Sequence, residues 1–129
     1  MAILNWPLVF LKLLPMGISI PAADVAPKAE RLVFLGSGKH QPNLDGLSYF
    51  LKEAWPIIRK GYPELTIAIT GVYDDAFRAP LAHIEGVDWV GFVDSLPDLL
   101  HGAISVVPIR LGSGIRVKIL ESMALGAAV

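Results

Sequence analysis

From residue 31 onward the chain alternates short apolar runs with segments whose apolar positions recur at helical spacing. "RLVFLG" (31–36) is continuously apolar and closes on Gly36, the pattern of a strand buried on both faces. "LTIAITG" (65–71) repeats it with β-branched residues, "VDWVGFV" (87–93) gives a third strand and "AISVVPI" (103–109) a fourth. Between the first two, Leu44, Leu47, Leu51, Ala54 and Ile58 fall on one helical stripe, widened by Phe50, Trp55 and Ile57. Pro42 suits the start of that helix, Pro56 predicts a kink or break near Ala54–Trp55, and Gly61 and Pro63 end it. A shorter helix is predicted over 74–84 and another over 95–102 with Ser95 as N-cap. The last runs from Ile115 to Leu125 with Gly126 as its stop, and "AAV" (127–129) reads as the start of a further strand.

Alternating apolar strands and helices predict an α/β domain, a parallel doubly wound sheet flanked by helices, over 31–129. Ligands of such sheets sit at the carboxyl ends of the strands, which here carry Gly36-Ser37-Gly38, Gly71, Gly91-Phe92 and Gly112-Ser113-Gly114. The chain is 53% hydrophobic and 18% charged, a composition suited to such a sheet. The apolar stretch 1–30 is broken by Asn5, Pro7, Lys12 and Pro15. It therefore reads as an inter-domain linker or edge segment rather than a membrane span. A net charge of −1 leaves no general field for nucleic acid, so any anion site is local. The absence of cysteine excludes disulfides, thiolate metal sites and cysteine nucleophiles.

The stretch "PIRLGSGIRVKILESMALG" (108–126) carries the sharpest signal. Arg116 and Lys118 stand at a helix N-terminus, where a cation costs about 0.3–1 kcal/mol. Gly112 and Gly114 let backbone approach a ligand closely, and the first-turn amides can face an anion. A diphosphate would draw charge-assisted bonds from both cations, and Glu121, one turn on, is suited to a ribose diol. A plainer reading stays open: a glycine turn, with Lys118 and Glu121 as an exposed i,i+3 pair in the weaker orientation.

"GSGKHQPN" (36–43) occupies the place of a phosphate loop, but it is neither a Walker A sequence nor G-x-G-x-x-G, since Gln41 stands where the third glycine belongs. His40, His83 and His101 are scattered, so no metal site is assigned. Ser37 and Ser113 lack a nucleophile elbow. Trp6, Trp55 and Trp89 read as core.

Several segments together resemble the C-terminal, nucleotide-sugar-binding domain of GT-B glycosyltransferases, in the family 4-like (group 1) set. They are "LPMGISIP", "FLGSGKHQPNLDGLSYF", "LTIAITG", "VDWVGFVDSLPDLL" and "VVPIRLGSGIRVKILESMALGAAV", with G-x-G-x-R-x-K-x-x-E-S-M-A-x-G the most specific pattern and PN-x-D-G-L-x-x-F the second. The resemblance implies one Rossmann-like half of a GT-B fold, C-terminally incomplete, whose acceptor-binding N-terminal domain lies elsewhere. It implies the donor-binding half of a retaining enzyme that moves a sugar from a nucleotide diphosphosugar to a glycan or lipid-linked acceptor, with no metal or other cofactor and no activity from this half alone. It further implies a cytoplasmic site of action, at or near the inner face of a membrane.

Carried over residue by residue, Glu121 matches the second glutamate of the family's two-glutamate motif, which holds the ribose. The first glutamate falls on Ser113, a departure that touches sugar recognition. A similar subgroup carries serine there with R-x-K in the helix, and Arg116 and Lys118 would then hold the diphosphate beside Gly112, Ser113 and Gly114. Phe92 and Val93 match the segment whose backbone reads the nucleobase, and Gly36, Ser37, Gly38 and Lys39 the loop near the diphosphate. Three rival readings are weighed beside this one. A GT-B-type nucleotide-sugar epimerase needs acidic and histidine groups around the sugar. A receiver domain needs an acidic cluster at the strand ends. A non-catalytic α/β interaction domain predicts no nucleotide affinity.

Overall fold

The computed structural model of the chain describes residues 31–129. The stretch 1–30, expected to be a linker or edge segment, and Trp6 within it, lie outside the described residues. The elements run β1 (Arg31–Phe34), α1 (Gln41–Tyr49), a π-helical segment (Phe50–Ala54), α2 (Trp55–Gly61), β2 (Thr66–Thr70), α3 (Asp75–Arg78), a 3-10 turn (Ala79–Leu81), β3 (Val87–Gly91), α4 (Leu96–Leu100), β4 (Ile104–Ser105) and α5 (Val117–Ala124).

The four strands form an all-parallel sheet in the order β3-β2-β1-β4. Ala128 makes a parallel bridge to Ile104, so "AAV" does return to the sheet beside β4. The connections from β1 to β3 step one way, and the crossover to β4 returns past β1. The strand order therefore reverses between β1 and β4, and the crevice above their carboxyl ends is where a sheet of this kind takes a ligand.

Alternation along the strands feeds two cores. Leu32, Phe34, Ile67 and Ile69 face Leu47, Phe50, Leu51 and Trp55 on one side. Val33, Leu35 and Ala68 face Leu99, Leu100, Ala103 and Ala127 on the other, with Leu125 packed against them. Each fully buried large apolar side chain contributes about 1.5–3 kcal/mol. Helices of four to nine residues cannot stand alone, so these two layers hold them in place.

The break expected at Pro56 takes a specific form. Proline has no N–H to give the Lys52 carbonyl and would crowd it, so the turn before it widens. The Trp55 N–H bonds the Phe50 carbonyl five residues back. Trp55 is thereby fully buried, and its Nε1 donates to the Glu85 carbonyl at 2.9 Å. Pro42 sits in the first turn of α1, as expected.

Three local expectations are corrected. Ser95 does occupy the N-cap position of α4, but its side chain makes no capping bond. The fourth strand pairs only over Ile104–Ser105 rather than 103–109, because the chain leaves the ladder before Pro108, which has no N–H to give. The last helix starts at Val117 rather than Ile115. It stops as expected: Gly126 has φ +81°, its N–H bonds Met123, and the Ala127 N–H bonds Ser122, a Schellman closure.

Candidate functional site at the switch point

The chain leaving β1 turns sharply over "GSGK". The Gly36 N–H donates to Thr70 Oγ1 at 3.3 Å, and the Gly38 N–H to the Val72 carbonyl at 3.1 Å, which ties this loop to the end of β2. Gly71 holds φ +92°, and a Cβ there would collide with the Gly36 carbonyl, so only glycine lets the two strand ends pass so closely. Ser37 Oγ accepts from the Lys39 N–H at 3.2 Å, and Lys39 itself is exposed.

Across the crevice the β4–α5 loop carries Gly112 at φ +91° and Gly114 at φ +93°, with exposed Ser113 between them. Arg116 takes the N-cap position of α5, with no side-chain cap and no acidic residue in the first turn. Its guanidinium folds back to donate to the carbonyls of Ser113 and Leu111, both at 3.2 Å. Lys118 reaches inward: its Nζ donates to the Leu35 carbonyl at 2.7 Å and to Asn43 Oδ1 at 2.9 Å. The plainer reading of Lys118 as half of an exposed pair with Glu121 is therefore corrected. The ammonium is half-buried at the carboxyl end of β1 and lies 5.2 Å from the centre of the Phe34 ring.

These cations share one electrostatic property. Among the described residues, the hydrogen-bond partners of Arg116 and Lys118 are neutral oxygens, so neither charge is cancelled by the bond that holds it. Burial, and then the neighbouring Arg116 charge, push the Lys118 pKa below its ordinary value. Two cations at an uncapped helix start cost stability. Here the cost falls at the switch point, where an anion would offset it.

The remaining site residues spread along the same edge of the sheet. Glu121, one turn past Lys118, is half-buried. Phe92 is 81% exposed just beyond β3, while Val93 packs into the second core. β3 lies two strands from β1, so Phe92 and the Gly36 loop are separated by about 10 Å of sheet. The sheet thus gathers Gly36–Lys39, Gly112–Gly114, Arg116 and Lys118 around the crevice and sets Phe92 and Val93 at its far flank. His40, His83 and His101 are all exposed and apart, and among the described residues no cluster of histidine and acidic side chains could hold a metal ion. Among the described residues no helix is long and apolar enough to cross a membrane.

Two groups of contacts escape a reading of residue types alone. Asn43, nine-tenths buried, spans Lys118 and the Ser37 carbonyl. Arg110 makes a two-pronged bond to Asp45 at 2.8 and 3.1 Å and lies 4.2 Å from the Tyr49 ring centre. The one available signal was the PN-x-D-G run itself, whose polar members are more than the start of an amphipathic helix needs.

Comparison with known proteins agrees with this arrangement. No curated protein matches the chain. The family described as glycosyl transferases group 1 matches residues 29–129, a span that takes in every strand and both glycine loops. The Rossmann-like parallel sheet is consistent with such a domain, and the chain belongs to the glycosyl transferases group 1 family.

Proposed function

We propose that this domain binds the nucleotide-diphosphosugar donor of a retaining glycosyltransferase, with the diphosphate over the crevice between β1 and the β4–α5 loop. The observation that carries the reading is the pair of cations, Arg116 and Lys118, held there, among the described residues, by neutral oxygens. In glycosyl transfer the C1–O bond of the donor breaks and negative charge grows on the departing diphosphate. Fixed donors aimed at that charge lower the barrier without reorganising. Lys118, Arg116 and the amides of Gly112–Gly114 are the donors this chain offers. Glu121 takes the ribose hydroxyls, and the backbone at Phe92–Val93 takes the base. The acceptor, a glycan or a lipid-linked glycan, is bound by a second Rossmann-like domain of the GT-B pair. The reading asks for no metal and no other cofactor.

Amide-correlation spectra of the labelled chain, recorded without ligand, with UDP and with GDP, test this. Shifts concentrated at Gly36–Lys39, Gly112–Gly114, Lys118 and Glu121 are expected for one of the two nucleotides. A well-dispersed spectrum that ignores both would remove the donor reading and favour a non-catalytic interaction domain.

A further inference from the structure

We infer that Asn43 is a positioning residue that sets the charge and aim of Lys118 at the donor site, an inference that rests on the donor reading above. Two hydrogen bonds fix its amide in one orientation: Nδ2 donates to the Ser37 carbonyl at 3.0 Å, and Oδ1 accepts from Lys118 Nζ at 2.9 Å. A flipped amide would set its NH2 against the ammonium and its oxygen against a carbonyl, so both contacts would fail together. The side chain, 75 residues before Lys118 in sequence, therefore links the β1 loop to α5.

An ammonium has three donors. Lys118 gives one to the Leu35 carbonyl and one to Asn43, which leaves one for the crevice. Asn43 accepts that bond without contributing a negative charge. An aspartate in its place would hold Lys118 as well and cancel it. The residues around Asn43 serve the same alignment. A Cβ on Gly46 would lie 2.5 Å from the Pro108 carbonyl, so the missing side chain lets α1 lie against the segment that leads into the glycine loop. Asp45 holds Arg110 two residues before Gly112. The P-N-x-D-G run thus grips the β4–α5 loop and the start of α5 at three points: Asn43 on Lys118, Asp45 on Arg110 and Gly46 on Pro108. Among other charges near Lys118, Arg116 is the one that lowers its pKa, while Lys39 and His40, which precede α1, are exposed.

The test compares the full chain with Asn43→Asp and Asn43→Ser. Two quantities are read: the titration of the Lys118 side chain by NMR, its signal identified by loss in Lys118→Met, and the affinity for UDP and GDP. In Asn43→Asp the Lys118 titration should move to higher pH, because a carboxylate favours the ammonium. Nucleotide affinity at neutral pH should fall about tenfold or more, because the same carboxylate meets the diphosphate. Asn43→Ser should weaken the nucleotide to a similar degree without the upward titration shift. An unmoved Lys118 titration in Asn43→Asp, or wild-type affinity in both variants, overturns the inference. If the unaltered chain binds neither nucleotide, the donor reading fails first. The Lys118 titration in Asn43→Asp then shows separately whether Asn43 governs the ammonium.

Discussion

Ser122 on α5 and Ser105 on β4 share a fully buried hydrogen bond of 2.8 Å between their hydroxyl oxygens. It pins the helix that carries Lys118 and Glu121 to the strand below it. Ser122→Ala strands the Ser105 hydroxyl without its partner, and a buried unsatisfied hydroxyl costs about 1–3 kcal/mol. Changing both serines to alanine removes the pair and should cost less than the single change. Urea denaturation of the two single variants and the double variant measures the coupling. Additive losses would mean the bond contributes nothing of its own.

Tyr73 presents the opposite case. Its ring packs against Phe77 and Trp89, but its buried hydroxyl has no partner among the described residues. Tyr73→Phe should therefore stabilise the domain by about 1 kcal/mol. Burial pushes the Tyr73 pKa above its usual value of 10.0. The unfolded chain then releases this proton before the folded one does. The stabilising difference is whole below about pH 10 and is lost as pH rises beyond it. Melting curves at pH 8 to about 11 should show the parent losing stability at the alkaline end faster than Tyr73→Phe.

Lys118→Met should weaken binding of UDP or GDP by about 1.5–3 kcal/mol, the range for a hydrogen bond to a charged group. Its pKa lies below the usual 10.5 in the free protein, and a bound diphosphate would raise it. Nucleotide binding then draws in a proton at alkaline pH, and affinity falls as pH rises through the lowered value. The folding sign is also fixed. With the folded pKa below the unfolded one, Lys118's contribution to stability is full above the unfolded value and declines as pH falls through the folded one. Calorimetric titrations in buffers of different ionisation enthalpy read the proton directly, and a flat pH profile would remove Lys118 from the diphosphate.

Glu121→Ala should lower affinity for the whole nucleotide while leaving inorganic diphosphate unaffected. Competition titrations with both ligands separate the two. Equal losses would assign Glu121 to the diphosphate or to the fold rather than to the ribose.

How much of this was legible in the sequence depended on the reach of each interaction. β1 and β2 announce themselves as apolar runs closed by glycine, because burial on both faces leaves no polar positions. Pro42 and Pro56 act within one helical turn, so their effects could be placed, though not the π-helical form of the second. β4 was overestimated because "VVPI" is as apolar as a strand, and only the pairing partner reveals that the ladder ends where the Val106 N–H bonds the Val33 carbonyl. Ser95 has the right residue type and position for a cap, but neither guarantees the hydrogen bond. The cations at α5 could be seen as costly. Leu35 and Asn43, the partners that hold Lys118, are 83 and 75 residues away and left no mark near α5.

The central place of β1 has a consequence for how the chain folds during synthesis. Its first neighbour, β2, begins at Thr66, but its second, β4, is made only when Ile104 emerges. Until then one long edge of the earliest described strand stands open, and the apolar face around Val33 and Leu35 lacks Leu99, Leu100 and Ala103 to cover it. Pairing across such distances is slow, and open edges of this kind aggregate. Residues near 104 must therefore leave the ribosome before this edge and this face are covered.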